Sequence, residues 1–376
     1  MSAALTEPTV PEMAGSLADV MPAAGALLGA LDGRVDVVPP GERGAAEAVT
    51  VLLIDGLGWA PWRDQLDLTP AMGSLEAACL NSTVPSTTPT ALASLGTGLR
   101  PGEHGIVGAS FCIPEDDVML HPLSWGGDPH PVAVQPEPTV FEKVAAAGLP
   151  VRRIGAAAYG ASGLTRAVLR GGEYLPAETH GDVVEGVAGH RRGLGYAYLP
   201  DLDRIGHVHG TDSHEWRQCL RDIDALVAQI LERIGPDHRL LVTADHGMVD
   251  CPDTARITME SLPSFDDVAG VGGEPRLRHV YLPTEAVARV AREWADALGD
   301  AAWVLTRDEF VAGGLLGAVE PAYAGRIGDI VVLARANTVL ASAVDSLVSG
   351  LRGQHGSISE VEMRIPLLAA SGSGHG

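Results

Sequence analysis

Three aspartates and three histidines, scattered over three hundred residues, each stand beside or close to a glycine: Asp55 in DGLG, Asp203 and His207 in DRIGH, Asp245 and His246 in ADHGM, and His355 in QHG. Carboxylate oxygen and imidazole nitrogen are ligands for zinc-like cations, and a neighbouring glycine lets the backbone approach a bound group. Any one of these residues alone reads as a turn or cap residue. Together, three carboxylates and three imidazoles gathered at one place would repel or stay unsatisfied without cations, and six ligands suit two ions that each keep a position open for substrate. A seventh feature is the turn through Pro85 and Ser86 into Thr87, Thr88 and Thr90, which feeds a small-residue segment of helical spacing. Hydroxyls at a helix start are ordinary N-caps, but they also lie where backbone N–H groups favour an anion such as phosphate.

Four apolar runs carry these residues. AVTVLLI (48–54) ends on Asp55, LGYAYLP (194–200) runs into Asp201 and Asp203, HRLLVTA (238–244) ends on Asp245, and IPLLAA (365–370) follows His355. Continuous apolar, β-branched runs predict buried parallel strands, and open α/β sheets place ligands at the carboxyl ends of such strands. Helices are expected over about 88–99, over 138–148, and from Ser213, where Trp216, Leu220, Ile223, Val227, Ile230 and Ile234 keep helical period. The repeated strand, acid and helix pattern predicts an α/β fold, a three-layer α/β/α sandwich around a mostly parallel sheet. Strands at 276–283, 302–306 and 328–335 around a helix at about 284–298 suggest a smaller inserted α+β cap. The expected division is an N-terminal extension at 1–46, a catalytic core at 47–257 and 326–376, and the cap at 258–325. Residues 101–138, rich in Gly, Pro and Asp, are expected to form a long loop or lid.

The net charge of −22 argues against a nucleic-acid polymer or an anionic membrane as partner, because both require a basic surface. An anionic substrate would then need local positive charge, which bound divalent cations supply. The four cysteines form no CxxC pair, the first basic residue is Arg34, and no apolar run reaches the length of a membrane span. A cytoplasmic protein is the expectation.

The motifs in their order resemble those of the alkaline phosphatase superfamily, most closely its nucleotide pyrophosphatase/phosphodiesterase branch. VPSTTPTALASLGTGLRPGEHGI is similar to that branch's nucleophile segment, LPDLDRIGHVHG to its aspartate and histidine motif, TADHGM to its aspartate–histidine pair and GQHG to its last histidine ligand. The resemblance runs in blocks from Val51 to about Leu368. It implies an alkaline-phosphatase-like fold and two divalent metal ions, zinc first, with manganese or iron able to occupy the same cages. One ion would be held by Asp203, His207 and His355, the other by Asp55, Asp245 and His246 with the Thr88 oxygen. It also implies Thr88 as nucleophile, a phosphothreonine intermediate, and hydrolysis of a small anionic phosphoester, a nucleotide among the candidates. Phosphomonoesterase or phosphonoacetate-type hydrolase chemistry on the same ligands is the alternative. A phosphomutase on this scaffold is a further one, and a sulfatase is disfavoured by threonine at the nucleophile position.

This sequence departs from the branch at Ala91, where an asparagine often stands, so the Thr88 N–H or Thr90 would have to stabilise the phosphoryl oxygens. Aromatics are only 4%, leaving Trp59, Trp125 and Tyr159 as candidate substrate contacts. His104 is expected to be a buried hydrogen bonder, His209 and His214 to be exposed, and Asp201 to serve as a turn residue or as a brace for the His207 loop. Arg276 and Arg278 are expected to be solvated strand residues. HEWRQ (214–218) misses the zinc-protease pattern at Gln218.

Overall fold

The computed structural model describes residues 8–10, 13, 15–125 and 129–373. In chain order the elements used below are strands β1 (Ala48–Ile54), β2 (Glu76–Asn81), β3 (Val151–Gly155), β4 (Glu173–Pro176), β5 (Gly193–Leu199), β6 (His238–Thr243), β7 (Gly270–Glu274), β8 (Leu277–Tyr281), β9 (Ala302–Thr306), β10 (Ile330–Ala334) and β11 (Arg364–Ser371). The helices are α1 (Val20–Leu27), α2 (Thr88–Thr97), α3 (Val140–Ala146), α4 (His180–Ala188), α5 (Asp201–His209), α6 (His214–Arg233) and α7 (Thr284–Leu298).

The central sheet, seven strands among the described residues, has the order β2-β11-β6-β1-β5-β3-β4. Strands β6, β1, β5, β3 and β4 are parallel, and β11 runs against both β6 and β2. Every residue of β1 and β6 is buried, as their unbroken apolar runs require of strands covered on both faces. Helices α1, α2 and α3 pack together on one side of the sheet, while α4, α5 and α6 form the other layer. Helix α1 thus docks the N-terminal segment into the main core through Val20, Met21, Ala23, Ala24 and Leu27.

This order decides where the site lies. Strands β6, β1 and β5 are neighbours, with Leu53 opposite Thr243 and Ile54 opposite Leu199. Adjacent strands stand about 4.8 Å apart, so the acids that follow them, Asp245, Asp55 and Asp203, emerge side by side. Helix α2 begins at Thr88 beside the same edge and ends where Gly98 takes the left-handed conformation, φ 75°.

A second, antiparallel sheet has the order β7-β8-β10-β9. Its residues alternate between two cores: Val280, Ile330 and Val332 face α7 and Trp294, whereas Leu277, Val331 and Leu333 join the main core. The cap boundary expected at 325 divides this sheet, because β10 lies beyond it and pairs with both β8 and β9. The expected lid at 101–138 holds a short hairpin, Phe111–Ile113 with Val118–Leu120.

Arg276 and Arg278 overturn their expected exposure. Both are fully buried; Arg276 forms a bidentate pair with Glu362 at 2.9 and 2.7 Å, and Arg278 pairs with Asp345 at 2.6 and 3.0 Å. A buried guanidinium persists only when carboxylates and carbonyls satisfy its fork, and these partners lie more than sixty residues away in the chain. Glu362 also accepts from the Ser357 N–H at 3.0 Å, so the Arg276 pair braces the turn that carries His355.

Three buried histidines outside the cluster of acids and imidazoles are held neutral. His104 donates to Ser94 at 2.9 Å while its Nδ1 accepts from the Ile106 N–H, and burial pushes its pKa down to about 3. His279 donates to the Val107 carbonyl at 3.0 Å and accepts from the Gly328 N–H, and burial lowers it to about 4. His238, beside Thr50 at 2.8 Å, is lowered to about 4 for the same reason. Unfolded histidine titrates near 6.5, so between 6.5 and these values the unfolded chain binds more protons and stability rises with pH. The contribution is complete above pH 6.5 and is lost as pH falls toward 4. A His104→Gln variant should be less stable than the wild type at pH 7.5, and that gap should narrow by about 2 kcal/mol at pH 5 in denaturant melts. An equal gap at both pH values would contradict the assignment.

Candidate metal centre

The residues from the strand ends converge. Asp203 Oδ2 lies 3.3 Å from His207 Nε2, a pairing set by their four-residue spacing on α5, and His207 Nε2 lies 3.3 Å from His355 Nε2. Asp203, His207 and His355 form one grouping that could hold a metal, and Asp55, Asp203 and His246 form another. Asp203 therefore belongs to both. Asp245 stands beside the second grouping, its Oδ2 3.5 Å from His246 Nε2. The rings of His246 and His355 stack with centroids 3.7 Å apart. Thr88 Oγ1, at the first position of α2, lies 3.2 Å from His246 Nε2.

Hydrogen bonding shows what these atoms lack. Each imidazole meets a backbone carbonyl with its Nδ1: His207 that of Gly353 at 2.8 Å, His355 that of Ser86 at 3.0 Å, and His246 that of Gly247 at 3.1 Å. Such bonds settle the tautomer and leave the Nε2 lone pair free for a cation. The buried oxygens Asp55 Oδ1, Asp203 Oδ1 and Asp245 Oδ2 have no hydrogen-bond partner, whereas Asp245 Oδ1 accepts from the N–H groups of Gly56 and His246. Three orphaned carboxylate oxygens facing three imidazole lone pairs fit divalent cations.

The electrostatics agree. Burial, then the charges of Asp245 and Asp203, pushes the Asp55 carboxyl well above the usual range, and burial raises Asp203 too. Burial, then His246 and His207, holds His355 well below its usual value, so it stays an unprotonated ligand.

Beside Thr88 and Asp55 opens a cavity of about 350 Å³ lined by Leu92, Ile154, Leu164, Tyr159, Tyr174, Tyr196 and Tyr198 among others. Four of the chain's six tyrosines are gathered there. Tyr159 meets Tyr198 edge-on with centroids 5.8 Å apart. Trp59 packs instead on Trp62, and Trp125 donates to the Pro129 carbonyl at 2.8 Å; neither lines the cavity. Thr90 is fully buried in α2 with its hydroxyl unpartnered. His209 and His214 are exposed, and Asp201 pairs with Arg204 and His180.

Two residues near the metal ligands escaped sequence reasoning. Tyr198 donates its hydroxyl to Asp55 Oδ2, which leaves Oδ1 as the inward oxygen. Its signal was present, since Tyr196 and Tyr198 are two apart on a strand and share a face. Glu274 comes from the second sheet, Oε2 3.5 Å from His355 Nδ1, and no local pattern points to it.

A family-pattern match over most of the chain places it in the alkaline phosphatase superfamily of metalloenzymes, in keeping with a mixed central sheet that gathers acids and imidazoles at one edge. Within it, the chain belongs to the type I phosphodiesterase/nucleotide pyrophosphatase family, whose pattern matches residues 49–358. The murine ectonucleotide pyrophosphatase/phosphodiesterase 5, solved as an inactive form with AMP, shares the fold with a TM-score of 0.71 at 18% identity, over 87% of this chain and 88% of that one. The human protein of the same name gives a TM-score of 0.68 over the same shares, at 18% identity. In sequence, a phosphopentomutase of Anaeromyxobacter dehalogenans is 29% identical over 140 residues, 37% of this chain and 35% of the relative. An uncharacterized pyrophosphatase/phosphodiesterase of Schizosaccharomyces pombe is 26% identical over 99 residues, 23% of this chain and 20% of the relative. The chain thus matches about a third or less of the length of these curated relatives. Among the described residues no helix is long and apolar enough to cross a membrane.

Proposed function

We propose that this protein hydrolyses phosphodiester or pyrophosphate bonds of small nucleotide-like substrates, with Thr88 as nucleophile and two divalent cations, zinc first, as cofactors. The observation that carries the reading is Thr88 Oγ1 at 3.2 Å from His246 Nε2, at the start of α2, between the orphaned carboxylate oxygens and the tyrosine-lined cavity. Asp203, His207 and His355 would hold one ion, and Asp55, Asp245 and His246 the other, with Thr88 as a further ligand. When bound, the ions lower the pKa of a hydroxyl and offset charge on phosphoryl and leaving oxygens. The Thr88 hydroxyl gives up its proton to solvent and Oγ1 forms the bond to phosphorus as the bond to the leaving alcohol or phosphate breaks on the opposite side, the electron pair departing with the leaving group, which takes a proton from solvent. Water then adds to phosphorus, the Thr88 ester bond breaks, and the threonine hydroxyl is restored. The amino end of α2 adds its dipole behind the phosphoryl oxygens, a contribution that counts because Ala91 offers no donor.

The tyrosine cluster gives the non-reacting part of the substrate an aromatic surface, and the AMP held by the murine neighbour is of that kind. Four unpaired cysteines support a cytoplasmic site of action within the same proposal. Purified, zinc-loaded protein should turn over bis(nitrophenyl) phosphate faster than nitrophenyl phosphate and phosphonoacetate. Preference for the monoester or the phosphonate would shift the assignment to the alternative, and absence of diester turnover would remove the leading one.

A further inference from the structure

The hairpin of β7 and β8 reaches from the cap to the metal centre, and Glu274, the last residue of β7, is where the two meet. Glu274 is 7% exposed. Its Oε2 lies 3.5 Å from His355 Nδ1. A Cβ placed on Gly356 would fall 2.6 Å from Oε1, so the carboxylate rests against the backbone next to His355. Oε1 has no hydrogen-bond partner. The arginine two residues on, Arg276, is already engaged by Glu362. A buried carboxyl oxygen without a hydrogen-bond partner is costly, and the polar group the carboxyl lies against is the imidazole of His355.

We propose that Glu274 is a positioning residue of the centre, a carboxylate supplied by the cap. It lies against the Nδ1 side of His355, whose N–H the Ser86 carbonyl accepts, so it aims Nε2 inward and, through Ser86, borders the turn that presents Thr88. Carboxylates behind a metal-bound imidazole fix its orientation and raise its basicity. The consequence is that the cap is part of the catalytic apparatus: the seating of its hairpin is coupled both to metal affinity and to nucleophile placement. This inference rests on reading the centre as a metal-dependent one.

The test compares wild type, Glu274→Gln and Glu274→Ala. Metal-free protein is titrated with Co2+ and with Zn2+, the Co2+ visible spectrum is recorded, the melting temperature of the metal-free form is measured, and kcat and KM are determined after loading. For Glu274→Gln we expect an unchanged metal-free melting temperature, an affinity for one of two metals lowered about 10- to 100-fold, an altered Co2+ spectrum, and kcat reduced about tenfold or more with KM nearly unchanged. Glu274→Ala should show larger effects of the same kind; should it fail to fold, the Gln variant decides. Wild-type affinity and spectrum in the Gln variant would overturn the proposal, as would a loss of affinity matched by a falling metal-free melting temperature. A wild-type protein that binds two metals yet hydrolyses no phosphoester would defeat the proposed function while leaving the affinity comparison to judge Glu274.

Discussion

Thr88→Ala is expected to lower kcat by at least about a thousandfold, equivalent to about 4 kcal/mol of barrier, while leaving metal content and melting temperature close to wild type. The size follows from the chemistry. Without Oγ1 no covalent intermediate forms, and residual turnover relies on water reaching a phosphorus that the site still binds. The structure should tolerate the change, because Thr88 is at the first position of α2, where its side chain reaches His246 and caps nothing. Quenching wild-type turnover of a diester with acid should trap on Thr88 the phosphoryl group still carrying its remaining ester substituent, an adduct that mass spectrometry locates, and the Ala variant should show none. Activity that survives the substitution would end the nucleophile assignment. A variant that has lost its metals would instead show that Thr88 acts chiefly as a ligand.

Removing the metals is expected to have the second largest effect. Exhaustive chelation should abolish phosphoester hydrolysis, and zinc or another divalent cation should restore it. Stability should fall as well, since a ligand at a hundred times its dissociation constant contributes about 2.7 kcal/mol per site. The physical cause lies in the side chains themselves, since oxygens of Asp55, Asp203 and Asp245 without hydrogen-bond partners are gathered close together. Scanning calorimetry with and without chelator measures the loss. Full activity in protein shown by elemental analysis to be metal-free would refute a metal-dependent centre.

Much of this was legible in the chain itself. AVTVLLI, LGYAYLP and HRLLVTA read as buried strands because apolar character without alternation is a local property, and the acids that follow them mark strand ends for the same reason. The turn from Pro85 into the small-residue helix α2 was legible because proline followed by threonines and helical spacing needs no distant partner to be recognised. His104 was likewise placed as a buried hydrogen bonder from its surroundings in EHGI, and it bonds Ser94 ten residues away.

What only the tertiary structure decided are relations between distant parts. That β6, β1 and β5 are neighbours, and so bring Asp245, Asp55 and Asp203 to one spot, depends on strand order, which short-range patterns do not encode. The burial of Arg276 depends on Glu362, 86 residues onward, because a guanidinium enters a core only with a partner in place. Four tyrosines in a chain poor in aromatics became one cavity wall because β4 and β5 flank β3 and the turn after β3 adds Tyr159, and Glu274 reached His355 from the second sheet. Side-chain type and spacing specify what a residue can do and which way a strand or helix turns it. Which residues meet is settled by the burial of whole faces, a long-range property that no window of the sequence contains.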